Sequence, residues 1–408
     1  MANTAGAGGL SSTLRGGIRP QFMAVILADV DAHALYPLTN DLPKSLLPLL
    51  NRPLLQYQLD LLHASGFSEC VVVTTRDAHD RVQILVRNEY RGDVAVDLVC
   101  VENHFGTADM LRAIKDKIKT DFLVLTGDLV LGRHLHDVID LHRAKRSDLT
   151  FLLKRLPPPS PAALLRRVSS FQLHSNLIDT RLYLLAHWVL ELIENKEDFT
   201  SLEEDVLPFI VRQQFKGPEA FGSAVSVPVG NTEVEATIAA LSAGSVYARP
   251  DDGPRCFAYI LDPSTERGRE GGREGGGMYC SKLTSTTAYM LMNRELMTLS
   301  REVAAWDPPE GYRPKETCVV GEGCAFGEQV NIKASVLGAN CKIGTRVKIH
   351  QCVLMDNVTV SDGVTLTNTV VCPHARIQEF CSLQDSFVGS YMTVPAKTKL
   401  KNGELMRE

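Results

Sequence analysis

The chain has no Cys-x-x-Cys pair, no block of basic residues and no leader-like apolar stretch near its start. No apolar run approaches the roughly 18–20 residues that cross a bilayer. Each absence excludes something. Ten cysteines without paired spacing do not read as a zinc or disulfide framework, and reduced, buried thiols are expected instead. Forty-three Lys and Arg interleave with 48 Asp and Glu for a net charge of -5, which offers no basic field for tracking nucleic acid. His134 and His136, two apart on a predicted helix, are expected on different faces, so neither is assigned to a metal. The expectation is a cytosolic protein with no cofactor, no metal, no membrane contact and no direct nucleic-acid contact. At 408 residues it should divide into two or three domains.

What is present is a repeat of seventeen residues near the C-terminus. Apolar side chains stand at Val320, Phe326, Ile332, Leu337, Ile343, Ile349, Leu354, Val360, Leu366, Val371, Ile377, Leu383, Val388, Val394 and Leu400, at intervals of six, six and five. Hexapeptide-like spacing predicts a left-handed parallel β-helix, in which each coil of three short strands buries side chains that only the next coil covers. An antiparallel sandwich with turns every six residues would not keep that alternation. A second column, Val319, Val336, Val353, Val370 and Phe387, precedes each coil start, and Cys324, Cys341 and Cys381 fill corner positions four residues after a strand start. Such a solenoid is a scaffold that persists by stacking on a cap or partner.

Upstream, strands alternate with helices: a strand over 21–27, a helix over 53–65, a strand over 70–75, a helix over 78–88, a strand near 94–101, a helix over 107–118 and a strand over 121–126. This pattern predicts a parallel sheet with crossover helices, α/β and Rossmann-like, with ligands at the carboxyl ends of strands, after Leu27 and Leu125. Residues 177–195, with Leu182, Leu185, Val189 and Leu192 at helical spacing, and 205–214 read as helices. A strand is expected over 255–261 and a helix over 285–302. The division is a disordered arm over 1–20, an α/β domain over 21–303 with a flexible Gly-rich loop over 267–277, a linker over 304–317, the β-helix over 318–400 and a tail over 401–408. The prolines of 157–161 mark a stiff surface connection.

Several motifs stand in a recognisable order: Leu35-Tyr36-Pro37-Leu38-Thr39, Pro43-Lys44-Ser45-Leu46-Leu47-Pro48, Asn51-Arg52-Pro53-Leu54, Gly106-Thr107-Ala108 and Gly127-Asp128. Together they resemble the sugar-phosphate nucleotidyltransferases, a family in which a Rossmann-like domain is often followed by a left-handed β-helix. The resemblance covers the whole chain at the level of fold. It implies a nucleotide pocket at Ala28, Lys44, Gly106 and Asp128, with Lys44 near phosphate, Asp128 as the magnesium carboxylate and Gly106 as a backbone contact to the base. In active members the first strand leads into a Gly-rich loop ending in Arg, whose amides and guanidinium hold phosphates. Here the stretch is Asp29-Val30-Asp31-Ala32-His33-Ala34; Asp29, Val30 and Ala32 replace the loop and Ala34 stands at the Arg position. A carboxylate about 4 Å from another unit negative charge costs about 4 kcal/mol at an effective dielectric near 20. The expectation is a pseudo-enzyme without catalytic residues.

Further motifs narrow the resemblance. Val72-Val73-Thr74-Thr75-Arg76-Asp77, Leu135-His136-Asp137-Val138-Ile139, Tyr289-Met290 with Asn293-Arg294, and Cys352-Val353-Leu354-Met355-Asp356-Asn357 are similar to the gamma-subunit family of eukaryotic translation initiation factor 2B. That resemblance implies a non-catalytic subunit pairing with an epsilon subunit, within a complex that also holds alpha, beta and delta subunits. The complex exchanges GDP for GTP on initiation factor 2. Exchange chemistry in that family resides in a helical C-terminal domain of epsilon, and the expectation here is a chain that acts by holding and positioning epsilon and substrate. Two departures stand out: the stretch over 153–166 is shorter than the family's, and the Gly-rich tract replaces less biased sequence. The alternatives are a mannose-1-phosphate guanylyltransferase-like enzyme or its inactive regulatory homologue. A β-helix acyltransferase is disfavoured, since His350 and His374 lie at unrelated coil positions.

Overall fold

A computed structural model of the chain describes residues 22–30, 35–132, 134–156, 167–168, 171–172, 176–214, 254–261, 279–299 and 318–406. The arm over 1–20, the prolines of 157–161, the Gly-rich loop over 267–277 and the linker over 304–317 lie outside the described residues.

The first domain is built on a seven-stranded sheet. Its strands are β1 (Phe22–Leu27), β2 (Glu69–Thr75), β3 (Ala95–Val101), β4 (Asp121–Thr126), β5 (Leu149–Arg155), β6 (Leu177–Leu185) and β7 (Cys256–Leu261), in the order β7-β5-β6-β4-β1-β2-β3. Around it pack helices α1 (Leu54–Ala64), α2 (Arg76–Ile84), α3 (Thr107–Ala113), α4 (His136–Lys145) and α5 (Trp188–Asn195). β1 is fully apolar and central because both faces of the sheet carry helices.

The sheet departs from expectation in one element. Residues 177–185 form a strand, not the first half of a helix, and β6 runs antiparallel to both β4 and β5. The sheet is therefore mixed, not wholly parallel. Leu182, Tyr183, Leu184 and Leu185 are all buried, and a strand covered on both faces gives a continuous apolar run that helical spacing also fits. β-Branched Ile178 and Thr180 with Tyr183 are the strand-forming signal in that run. The helix begins only at Trp188. His134 precedes α4 and His136 opens it; their rings lie 4.7 Å apart, so the expectation that they point to different faces fails because only one of them is helical.

The C-terminal strands stack into three parallel sheets of six, five and five strands, each coil registered seventeen residues from the next, as in Val336↔Val353 and Ile349↔Leu366. Together they form the left-handed β-helix. Strands continue through Glu404–Leu405, so part of the stretch read as tail adds a sixth rung to the first face. Of the fifteen repeat positions, eleven from Leu337 to Val394 are buried. Val320, Ile332 and Leu400 are half-buried, and Phe326 is 41% exposed, which corrects its assignment to the core. End coils have a neighbour on one side only, and among the described residues nothing precedes the first. Cys341 and Cys381 are buried in the corners, their thiols facing backbone carbonyls, while Cys324 is half-buried.

The second column has a different role from the first. Val319, Val336, Val353, Val370 and Phe387 point out of the coil yet are buried, because the first domain packs on that face. The covering element is α6 (Thr286–Leu299), which lays Tyr289, Met292 and Leu296 against the column. Beside it a two-residue hairpin joins Pro48–Leu49 to Arg52–Pro53. Its turn residues Leu50 and Asn51 have φ of 48° and 64°, the left-handed pair of a primed turn. Asn51 donates through Nδ2 to the Leu337 carbonyl at 2.7 Å, and Leu50 N–H donates to Asn293 Oδ1 at 3.0 Å. The Asn-x-Pro-Leu motif thus docks the β-helix.

Two predictions follow from this packing. Tyr289 is fully buried at the junction and donates its hydroxyl to the Pro48 carbonyl; Tyr289→Ala should cost about 3–5 kcal/mol by leaving a large cavity, and Tyr289→Phe about 1 kcal/mol, read by denaturant unfolding. Both domains should lose stability together. His142 is buried between α4 and β5, with Nδ1 2.9 Å from Thr150 Oγ1, and burial lowers its pKa below 6.5. The unfolded chain therefore binds this proton more readily, so stability is full above about pH 6.5 and is lost as pH falls towards the folded value, by at most about 1.4 kcal/mol per pH unit. His142→Gln should flatten that part of the stability–pH curve.

Candidate functional site

A cleft of about 850 Å³ opens at the carboxyl ends of β1 and β2, walled by the 39–43 segment, the start of α2, the Gly106 entry to α3 and residues 200–204. Asp29, Val30 and Gly106 line it. Ala28, Lys44 and Asp128 are buried beneath its floor. Ala32 and Ala34 lie outside the described residues.

Gly127 lets the ends of β1 and β4 meet. A Cβ there would stand 1.8 Å from the Ala28 carbonyl oxygen, while Gly127 N–H donates to the Leu27 carbonyl at 2.7 Å. Asp128 is thereby fixed at the strand end. Gly106 is the N-cap of α3, and a Cβ on it would lie 2.2 Å from the Thr200 carbonyl oxygen. Its glycine is required by packing against the 200–204 wall.

Lys44 sits in the turn Lys44–Leu46 and is 2% exposed, as is Asp128. Its ammonium lies 3.2 Å from Asp128 Oδ2 and donates to the Val30 carbonyl at 2.9 Å. The two residues the resemblance assigned to phosphate and magnesium are thus each other's partners. Asp128 Oδ1 accepts from the Thr126 hydroxyl, and the Arg181 guanidinium stands 3.8 Å from Oδ2. Arg181 also approaches Glu203 at 3.6 Å, whose other oxygen accepts from the Thr107 hydroxyl at 3.0 Å. Lys282 adds a further cation; burial lowers its pKa, opposed by the nearby Asp128.

Asp29 turns inward. Oδ1 accepts from Ser45 N–H at 3.1 Å and from Ser45 Oγ at 3.0 Å, clamping the Lys44 turn to the end of β1. Burial raises its pKa, and the Ser45 hydrogen bonds oppose that rise. Asp31, expected beside it, lies outside the described residues. Among the described lining residues, Asp29, Asp41, Asp77, Glu203 and Glu204 outnumber Arg81 and Arg181, and Arg81 donates to the Asp41 carbonyl.

Sequence reasoning missed Arg181, Ser45, Thr126 and Glu203. Arg181 lay hidden in the run misread as helix; Ser45 is the variable position inside Pro-Lys-x-Leu-Leu-Pro, and nothing in the sequence marks it. The resemblance implies a divalent cation at Asp128, and the residues present do not fit one. Magnesium takes oxygen ligands in near-octahedral array at about 2.1 Å, whereas the Asp128 oxygens face a hydroxyl, an ammonium and a guanidinium. Among the described residues no group of three or more His, Cys, Asp or Glu could hold a metal ion.

The Nucleotidyl transferase family model matches residues 23–161, and the model for the EIF2B subunit epsilon LbH domain matches residues 311–402. The chain is 26% identical over 398 residues to translation initiation factor eIF2B subunit gamma of Dictyostelium discoideum, covering 78% of this chain and 87% of that one. It is 28% identical over 240 residues to the gamma subunit of Schizosaccharomyces pombe, covering 48% of this chain and 52% of that one. A mannose-1-phosphate guanyltransferase of Candida albicans is 28% identical over 195 residues, covering 44% of this chain and 53% of the enzyme. Fold and matches together define a two-domain protein, nucleotidyltransferase-like with a left-handed β-helix. Its homologues include the eIF2B gamma subunits, at 26–28% identity.

The buried pair gives a direct test. Lys44→Met removes the nearer of the two cations paired with Asp128 and should cost about 3 kcal/mol, while Lys44→Met combined with Asp128→Asn should recover much of that, giving a coupling of about 2 kcal/mol in a double-mutant cycle. Additive losses would show that the pair does not act as a unit.

Proposed function

We propose that this chain is a non-catalytic gamma-type subunit of an eIF2B guanine-nucleotide exchange complex. It pairs with an epsilon-type subunit, alongside alpha-, beta- and delta-type subunits, and promotes GDP/GTP exchange on initiation factor 2 in the cytosol. The observation that carries this reading is the likeness to a gamma subunit over 398 aligned residues, 78% of this chain and 87% of that one. The guanyltransferase likenesses extend over 195 to 212 residues.

The cleft supports the non-catalytic part. Phosphoryl chemistry needs cations presented to phosphate oxygens. Lys44 and Arg181 are already engaged with Asp128, and the cleft wall carries an excess of carboxylate. At about 4 kcal/mol per unshielded like-charge contact near 4 Å, roughly three decades of triphosphate affinity are lost. Function then rests on surfaces: the chain positions a partner and its substrate without opening the GTPase itself.

The test is a pull-down of the tagged chain from its own cytosol, with partners identified by mass spectrometry and the eluate assayed for accelerated GDP release from initiation factor 2. Recovery of an epsilon-type subunit together with exchange activity is expected. Recovery of a sugar pyrophosphorylase, or pyrophosphate release from nucleoside triphosphate and sugar phosphate, would overturn the reading. Expressed without partners, the chain should be poorly soluble, because stability gained by mass action from a partner is then missing.

A further inference from the structure

We infer that Arg181, with Lys44, occupies the place beside Asp128 that a divalent cation would need, so that the chain carries its own cation in the cleft; this rests on the reading of the cleft as non-catalytic. Backbone and side-chain geometry together place Arg181 there. β6 shifts register between Asp179 and Tyr183 against β5, a bulge of the kind that re-aims a side chain. Arg181 itself takes φ of 60°, a left-handed conformation uncommon for a long side chain, held by its N–H donating to Asp179 Oδ1 at 2.9 Å. The guanidinium then stands between two carboxylates from different walls, 3.8 Å from Asp128 and 3.6 Å from Glu203.

The remaining partners of those carboxylates leave the guanidinium as the hinge of the arrangement. Asp128 keeps the Thr126 hydroxyl and Lys44, and Glu203 keeps the Thr107 hydroxyl. With the guanidinium gone, two carboxylates of the cleft would face a common space, with the Lys44 ammonium on Asp128 and Lys282, whose pKa burial lowers, as the nearby cations. Carboxylate oxygens facing one space are the ligands a hard dication takes. Arg181 is therefore the residue that closes this position to metal.

The test is a Mn²⁺ titration of the full-length chain, in the assembly with which it purifies, followed by loss of the free-ion electron paramagnetic resonance signal. Wild type should show no binding that Asp128→Asn removes. Arg181→Ala should gain one Mn²⁺ per chain, at least tenfold tighter than wild type, and adding Asp128→Asn should abolish the gain. Arg181→Lys, which keeps the charge, should gain none. Asp128-dependent binding in wild type overturns the inference, as does the absence of any gain in an Arg181→Ala or Arg181→Met chain whose unfolding transition remains cooperative. Should both of those variants fail to fold, the wild-type arm decides alone. A failed pull-down would count against the subunit reading and leave this result standing.

Discussion

The molecule depends on one buried seam, where the outward valines of the β-helix meet α6 and the 48–53 hairpin. A solenoid face of Val319, Val336, Val353, Val370 and Phe387 cannot face water in this register, and the first domain cannot bury Tyr289, Met292 and Leu296 without it. Each side chain buried there contributes about 1.5–3 kcal/mol, so the seam holds the two domains as one body. Hydrogen bonds set its register. Asn51 reaches the Leu337 carbonyl of the coil, and Asn293 receives Leu50 N–H while donating to the Tyr289 carbonyl. A polar pair inside an apolar seam fixes where the surfaces meet more than how strongly they hold.

The seam and the cleft share a short piece of chain. Residues 43–54 begin at the Lys44 turn under the cleft floor, run through the hairpin against the β-helix and end in α1. Asp29 clamps one end through Ser45, and Tyr57 steadies the hairpin through the Leu49 carbonyl at 2.8 Å. The cleft residues therefore act as struts. Lys44 and Asp128, placed where an enzyme would present charge to a substrate, instead tie this segment to the central strand β4.

Legibility in the sequence followed the strength of the repeating constraint. The β-helix was readable almost residue by residue, since a coil tolerates no drift in a period of seventeen; only its end coils, at Val320, Phe326, Ile332 and Leu400, departed from full burial. β1, β2 and β4 were readable because each is a short run of buried Val, Ile or Leu with a sharp polar end. β6 was not, because a strand buried on both faces carries no alternation, and its misreading hid Arg181. The meaning of two motifs was also hidden. Asn51-Arg52-Pro53-Leu54 gave the family likeness but not its contact with the Leu337 carbonyl, 286 positions away. The second valine column gave support for the repeat without showing that a helix from the other domain would cover it.

The ion pair at the floor poses the remaining physical question. Two apolar side chains of similar volume would often stabilise a buried site as well as Lys44 and Asp128 do, since desolvation cancels much of the attraction between charges. What apolar side chains cannot do is fix direction. The ammonium must meet Asp128 Oδ2 and the Val30 carbonyl at once, and Asp128 must meet Thr126 at its other oxygen. Those demands admit one placement of the Lys44 turn relative to β4, and through the hairpin they orient the face presented to the β-helix. Directed contacts of this kind hold that face in one orientation.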